Sequence, residues 1–355
     1  MLFLVSLAYA SWQTGRLRDH AIEPVEFEKF IDYAMDESDG RKTLALLVIH
    51  RGKILFERYA EGFYAESKFR LWSISKTVGA LILAKAIAEN LLSLETKVGE
   101  FYPDSPAKDV TLRELLQMSS GISYHEDYSN PFTSDTIAML YGSGQKDMAQ
   151  YTANLELKES NAFYYSSGDT NLAMGMLKKK MSLKDYAEFP WRSLFKPLGI
   201  NNVTIERDAS GTLLTSSYVY MSARDLAKLG SLMMRRGKYR GKSLIKEEWF
   251  NFMFSLAPTM AHSLRKPRNR NESYGGHIWL NKTYYSQAHE TQLGPYLPSA
   301  PENTIIARGF SGQVMNMYPN KNLIVVRFAE DPSRLMDWPK FSKLLLGSFK
   351  EIKRD

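Results

Sequence analysis

The segment from Ser73 to Leu92 constrains the fold of this chain more than any other. Val78, Leu81, Ile82, Leu83, Ala84 and Ile87 fall on every side of a helix, and a helix that is apolar all round is a buried one. With 355 residues the chain is long enough for one large domain or two small ones. Its apolar fraction of 44% is that of an ordinary globular protein, able to bury a core without covalent staples. It contains no cysteine, which excludes disulfides, thiolate metal sites and a cysteine nucleophile. The net charge of +7 is spread along the chain, and its two dense runs, Lys178–Lys180 and the loop Arg265–Arg270, read as solvated surface. No zinc-finger spacing or other nucleic-acid motif occurs, so no nucleic-acid partner is expected.

Strand patterns lie near both ends of the chain and helical patterns between them. Glu26–Glu37 reads as a helix with Phe27, Phe30, Ile31 and Ala34 on one face. Leu44–His50 and Ile54–Tyr59, joined by the turn Arg51-Gly52-Lys53, read as a β-hairpin. The stretch from about 95 to 255 is mainly helical, with a clear helix at Leu226–Arg236 and turns at Pro103-Asp104, Gly121 and Gly168. His277–Leu280, Thr304–Ala307, Gln313–Tyr318 and Leu323–Phe328 read as strands, and Pro339–Phe349 as a last helix. The expected fold class is therefore α+β: an antiparallel sheet flanked by helices, with an inserted helical subdomain. The expected divisions are an apolar segment at 1–25, a sheet domain from 26–94 and 256–355, and the helical subdomain at 95–255. Met1–Ala10 is nearly all apolar and ends in Ala8-Tyr9-Ala10, but no basic residues precede it and it is too short to span a bilayer. It reads as an export or anchor remnant or as a short apolar helix. The first reading is the one expected, giving a periplasmic or membrane-attached protein with membrane association through this segment.

Ser73-Ile74-Ser75-Lys76 opens the buried helix. Residues three apart lie on one helix face, so the Ser73 hydroxyl and the Lys76 amine are neighbours. A serine hydroxyl becomes a nucleophile only when a base takes its proton, and burial of an amine favours the neutral form that can do so. A helix N-terminus also favours a developing anion. The spacing alone is weak, because it recurs at Ser105, Ser143, Ser193, Ser243 and Ser263. Only at Ser73 does it open a helix of this kind. The bland alternative for Ser73 and Lys76 is an N-cap serine followed by a surface lysine.

The run Phe69–Thr77 resembles the nucleophile segment of the class C β-lactamase-like and penicillin-binding-protein-like serine hydrolases, in which Ser-x-x-Lys is the catalytic pair. LRELLQMSSG at Leu112–Gly121, FYYSSGDTN at Phe163–Asn171 and the long block from Ser222 to Trp249 are similar to further blocks of that family, in order, over roughly residues 40–330. The tyrosine block is most similar to the 6-aminohexanoate-dimer hydrolases and related esterases. The resemblance implies Ser73 as nucleophile, Lys76 and Tyr165 as the acid/base groups, and Ser167 as a site hydroxyl in the Tyr165-Ser166-Ser167 motif. It also implies an oxyanion hole from the backbone N–H groups of Ser73 and Gln313. The family's Lys-Thr-Gly or His-x-Gly strand is matched to Gly309–Gln313. This places Phe310 where a cation or imidazole is expected, Ser311 as the hydroxyl, and Gly312 as the residue of close backbone approach. Arg308, two residues before Phe310, is the candidate to bind a carboxylate in place of the missing cation.

His125-Glu126-Asp127 follows the second block and is a candidate cleft lining, whereas His277 reads as a packed residue. The six histidines show no metal spacing, and neither metal nor cofactor is implied. The favoured function is a serine hydrolase acting through an acyl-enzyme on small esters or amides. Phe310 argues against strong β-lactamase or D-alanyl peptidase activity. The alternatives are a β-lactamase in which Arg308 binds the β-lactam carboxylate, and an inactive binding protein on the same fold.

Overall fold

The computed structural model describes residues 12–128, 130, 132–158, 162–263 and 272–350. The readings of Met1–Ala10 and of Arg265–Arg270 lie outside these residues. An eight-stranded sheet is formed by β1 (Gln13–Thr14), β2 (Lys42–His50), β3 (Lys53–Tyr59), β4 (Ser273–Tyr274), β5 (Trp279–Leu280), β6 (Ile305–Gly309), β7 (Gln313–Tyr318) and β8 (Leu323–Glu330), in the order β1-β3-β2-β8-β7-β6-β5-β4. All neighbours are antiparallel except β1, which runs parallel to β3. The two ends of the chain meet at the centre, where Leu323 to Glu330 pairs with His50 to Lys42. Arg51 and Gly52, both with positive φ (51° and 76°), make the tight β2–β3 turn whose twist suits a hairpin.

Among the described residues, five helices reach ten residues: α1 (Pro24–Met35), α2 (Ile74–Ala88), α3 (Ser167–Lys179), α4 (Ala223–Met234) and α5 (Trp338–Gly347). Leu46, Val48, Leu323 and Val325 face one side of the sheet and pack on Phe27 and Phe30 of α1 and Phe341 and Leu345 of α5. Leu47, Ile49, Ile324 and Val326 face the other side and share a core with α2, α3 and α4. Both faces are covered, which is why the central strands are continuously apolar rather than alternating. This is the α+β arrangement of an antiparallel sheet flanked by helices, with the intervening chain mostly helical.

The departures from expectation are local. Val203–Ile205 and Val219–Met221, inside the region read as helical, form a small three-stranded sheet with Phe69–Arg70. It fixes the entry to α2, since the Leu71 N–H donates to Val219 O at 2.9 Å. Gly168, read as a turn, lies in the first turn of α3, where a Cβ would come within 2.6 Å of the Tyr124 ring. Lys178 is buried rather than solvated, bonding to Ser210 while Asp147 lies 3.9 Å away. Among the described residues no helix is long and apolar enough to cross a membrane.

His277 is packed, as expected, but as a left-handed residue (φ 56°) before β5 and not within a strand. Its Nδ1–H and its backbone N–H both donate to Leu116 O, and the Thr170 hydroxyl donates to Nε2. Because a carbonyl can only accept, these contacts assign the Nδ1–H tautomer. Its own carbonyl accepts from the Thr77 hydroxyl at 2.9 Å, so one residue ties α2, α3 and the Leu112–Leu116 helix together beneath Ser73. Burial, with help from Lys76, pushes the imidazole down to about 3. The unfolded chain therefore takes up this proton near pH 6.5 while the folded chain refuses it, and stability falls as the pH drops through the interval between 6.5 and 3. The expected loss from this group is about 2 kcal/mol at pH 5. His277→Asn tolerates the left-handed backbone and does not titrate. Its melting temperature should decline less than that of the wild type between pH 7 and pH 5, and parallel curves would rule the imidazole out.

Candidate active site

Ser73 enters the site from a strained corner. Trp72 has a positive φ of 49° and is clamped between the Arg70 guanidinium, 3.6 Å above its ring, and the edge of Phe310. Ser73 itself is already helical (φ −67°, ψ −11°), and its hydroxyl makes no capping bond to the helix it opens. The N-cap alternative for this serine is thereby set aside. The hydroxyl instead lies 3.3 Å from Lys76 Nζ. Lys76 is only 1% exposed, and its amine makes two further bonds, to Ser167 Oγ at 3.0 Å and to the Ser216 carbonyl at 3.0 Å. An ammonium has three protons, and each finds an acceptor.

Tyr165 immediately precedes Ser166, whose hydroxyl caps α3. Its ring stacks on Trp279 and meets Tyr274 edge-on, and Lys76 Nζ lies 4.9 Å from its centroid. Ser73, Lys76, Tyr165 and Ser167, expected together, are together. Ser73 and Tyr165 line one cavity of about 460 Å³ with Glu126, Asp127, Tyr128, Trp279, Arg308 and Phe310.

Glu126 plays a larger part than its sequence context suggested. Its two oxygens accept four hydrogen bonds: from the Ser167 N–H (2.8 Å), the Ser167 hydroxyl (2.8 Å), the Tyr128 hydroxyl (2.5 Å) and the Thr136 hydroxyl (3.1 Å). The Tyr128 ring is half exposed, but its hydroxyl end is desolvated. That desolvation and the adjacent carboxylate push it far above an ordinary phenol, so it stays a donor. His125 is exposed, and its backbone N–H bonds Asp135. The one sequence signal for Glu126 was its place just after the second block, shared with both neighbours.

The strand-borne motif needs a correction. Phe310–Gly312 is not on a strand but forms the turn between β6 and β7, with Ser311 (φ 61°) and Gly312 (φ 81°) both left-handed. A Cβ on Gly312 would meet Arg327 and Asp331, away from Ser73. A Cβ on Gly309 would stand 2.3 Å from Leu71 O and 3.0 Å from Trp72 Cβ. Gly309 is therefore the glycine that lets β6 press against the residues that precede Ser73. Gln313 sits opposite Gly309 in the ladder, with its side chain bonded to both backbone groups of Ala329. The Ser311 hydroxyl accepts from the Asp331 N–H at 2.9 Å. Phe310 walls the cavity between Trp72 and Tyr128. Arg308 does reach the cavity, but it bonds Glu272 at 3.0 Å and stacks on Trp279 and Tyr296. Burial opposes its charge, yet Glu272 and Tyr296 outweigh that and hold its proton more tightly than usual.

A family model described as Beta-lactamase matches residues 27–340, which takes in every element of this site. The chain belongs to the beta-lactamase family. This is a family of hydrolases. The 6-aminohexanoate-dimer hydrolase of Paenarthrobacter ureafaciens is 26% identical over 219 residues, spanning 58% of this chain and 56% of that protein. The match thus covers little more than half the length of that relative. Among solved structures, a Bacillus anthracis protein provisionally assigned as a 6-aminohexanoate-dimer hydrolase superposes with a TM-score of 0.70 at 19% identity, covering 95% of this chain and 87% of the other. The octameric penicillin-binding-protein homologue of Pyrococcus abyssi gives 0.63 at 19% identity, over 92% and 78%. Both share the fold.

Behind the site of this beta-lactamase-family chain lies Asp169, in the first turn of α3. It is fully buried, and among the described residues neither carboxylate oxygen has a hydrogen-bond partner. Burial pushes it up to about 7, and the nearby Ser120 and Ser166 offset this only in part. The folded chain thus holds this proton more tightly than the unfolded chain, so stability is lost as the pH rises from about 4 through 7. Asp169→Asn removes that loss. The variant should be more stable than the wild type by about 2–4 kcal/mol at pH 8, with the gain shrinking toward zero below pH 4. Chemical denaturation at the two pH values tests this, and equal stability at pH 8 would refute it.

Proposed function

We propose that the chain is a serine hydrolase that forms an acyl-enzyme on Ser73 from small esters or amides. The reading rests above all on the Ser73 hydroxyl lying 3.3 Å from a lysine amine that is shut away from solvent. As Ser73 Oγ attacks a carbonyl, its proton passes to Lys76 or to Tyr165, which stands beside it, and then to the leaving alkoxide or amine. Water attacks the acyl-enzyme in the reverse sequence. The Ser73 N–H, at the start of α2 where no intrahelical acceptor exists, is one donor for the tetrahedral oxyanion. The contact of Gly309 with Leu71 favours the Phe310 N–H as the second donor over that of Gln313, whose backbone belongs to the ladder.

The cavity suits an acyl group with apolar bulk, given Trp279, Phe310, Tyr128 and Trp338 in its walls. The relative named for hydrolysing the 6-aminohexanoate dimer supports amides beside esters. A second reading, a β-lactamase, draws on Arg308, the cation at the end of β6. A β-lactam carboxylate would have to compete there with Glu272, already bonded at 3.0 Å, which favours esters and amides.

Incubation with a fluorophosphonate followed by intact-mass measurement should show a single adduct, absent in Ser73→Ala. Hydrolysis of the best ester or amide in a panel should then fall about a thousandfold or more in that variant. A folded protein that gains no adduct would favour the binding-protein alternative.

A further inference from the structure

The amine of Lys76 is buried without a carboxylate among its hydrogen-bond partners, which are two hydroxyls and a carbonyl. One of those hydroxyls belongs to Ser167, and its proton has a definite direction. Ser167 Oγ lies 2.8 Å from Glu126 Oε1, and an ionised carboxylate can only accept, so Ser167 donates to Glu126 and offers its lone pair to Lys76. The amine and the carboxylate are thus joined through one oxygen and lie no more than about 6 Å apart. Four donors on Glu126 fix its position: two from Ser167, one from Tyr128 and one from Thr136. Both oxygens are engaged in the manner of an anion, at the N-terminal end of α3, where the helix dipole favours one.

We propose that Glu126 is the counter-charge of Lys76 and acts on it through the Ser167 hydroxyl, as a positioning residue for the nucleophile pair. The inference rests on the serine-hydrolase reading for its catalytic consequence. When Lys76 Nζ takes the proton of Ser73 Oγ, an ammonium forms inside the protein. Ser167, polarised by Glu126, accepts a hydrogen bond from it, and the Glu126 charge offsets it. No proton needs to leave Ser167 for this to hold. The other titratable groups around the pair are Asp169 from α3, His277 beneath Lys76, Tyr124, Asp127 and Tyr128 from the Glu126 loop, Tyr165 ahead of α3 and Tyr274 beside it, with Arg308 and Glu272 across the cavity. Asp169 also faces Lys76, but no hydrogen bond joins the two, and Ser120 and Ser166 offset its burial only in part. Glu126 therefore carries the coupling.

The sign of the effect follows from the charges. Removing the anion favours the neutral amine, so labelling of Ser73 by a fluorophosphonate should reach its half-maximal rate at lower pH. The amine that remains is a weaker base, so the plateau rate should fall. In Glu126→Gln the midpoint should move toward acid by about one pH unit, with labelling about tenfold to a hundredfold slower at the plateau. Glu126→Asp, which keeps the charge, should restore the midpoint even where its shorter reach lowers the rate. Coupling can also be read without activity, from thermal unfolding of Lys76→Met, Glu126→Gln and the double variant. The double variant should lose less stability than the two single losses combined, and that difference should vanish in a Ser167→Ala background. An unchanged labelling midpoint in Glu126→Gln, or strictly additive stabilities, would overturn the proposal and leave Glu126 as a tether for Tyr128. If the wild type is not labelled at all, the serine-hydrolase reading fails, and the unfolding cycle still decides whether the two charges are coupled.

Discussion

A lysine amine removed from water is the constraint on which the rest of this structure depends. Desolvating such a group costs several kcal/mol unless every proton is accommodated. Lys76 meets that condition with acceptors from three parts of the chain: Ser73 on its own helix, Ser167 at the start of α3, and the carbonyl of Ser216. The neighbouring hydroxyls of α2 are engaged elsewhere, Ser75 accepting from the Val219 N–H and Thr77 donating to the His277 carbonyl. A displacement of α3 or of the Ser216 segment by a single residue would strip a donor of its partner, so the helical layer has one register on α2. Gly79 permits the Ser216 segment to come this close, since a Cβ there would lie 2.4 Å from Thr215 Oγ1. The packing of the helical layer and the placement of Ser73 beside Lys76 thus depend on the same contacts.

The sheet contributes the opposite wall, and its reach is set by one glycine. Gly309 lets the end of β6 press on Leu71 and Trp72, so the next residue, Phe310, turns its ring into the cavity between Trp72 and Tyr128. The cation stands two residues before Phe310, on Arg308, where Trp279 and Tyr296 flank it and Glu272 neutralises it. A neutral acyl group meets aromatic surface directly, whereas an anionic one must first displace an internal carboxylate. The charge of this wall is thus set by the Arg308–Glu272 pair and not by the Phe310 position that stood out in the sequence.

Much of this was legible in the chain itself, and the illegible parts share a cause. The buried helix, the serine and lysine one turn apart, and the central strands showed themselves because burial on both faces leaves long apolar runs such as Leu44–His50 and Leu323–Phe328. The tyrosine block could be assigned by resemblance. Glu126 could not be separated from His125 and Asp127, because its hydrogen bonds to Ser167 join residues 41 positions apart. Gly309 and Gly312 lie three residues apart, and only the strand register decides which of them faces the nucleophile. Strands of two or three residues, such as Phe69–Arg70 and Val203–Ile205, are too short to carry a period. His277 sat in an alternating pattern that its left-handed backbone does not follow.

The polar groups beneath the nucleophile are sorted by how well they are solvated by the protein. His277 has an acceptor and a donor for its two nitrogens and stays neutral in an apolar setting. Two carboxylates lie within reach of Lys76, both at the start of α3, and they differ in one respect. Glu126 is held by four donors, while Asp169 is fully buried with only Ser120 and Ser166 near it. Hydrogen bonds to the charged form favour it and desolvation opposes it, and at Asp169 desolvation prevails and pushes the carboxyl up to about 7. Lys76 therefore faces Glu126, held in place on the far side of one serine hydroxyl, so a charge on its amine is not isolated in the protein interior.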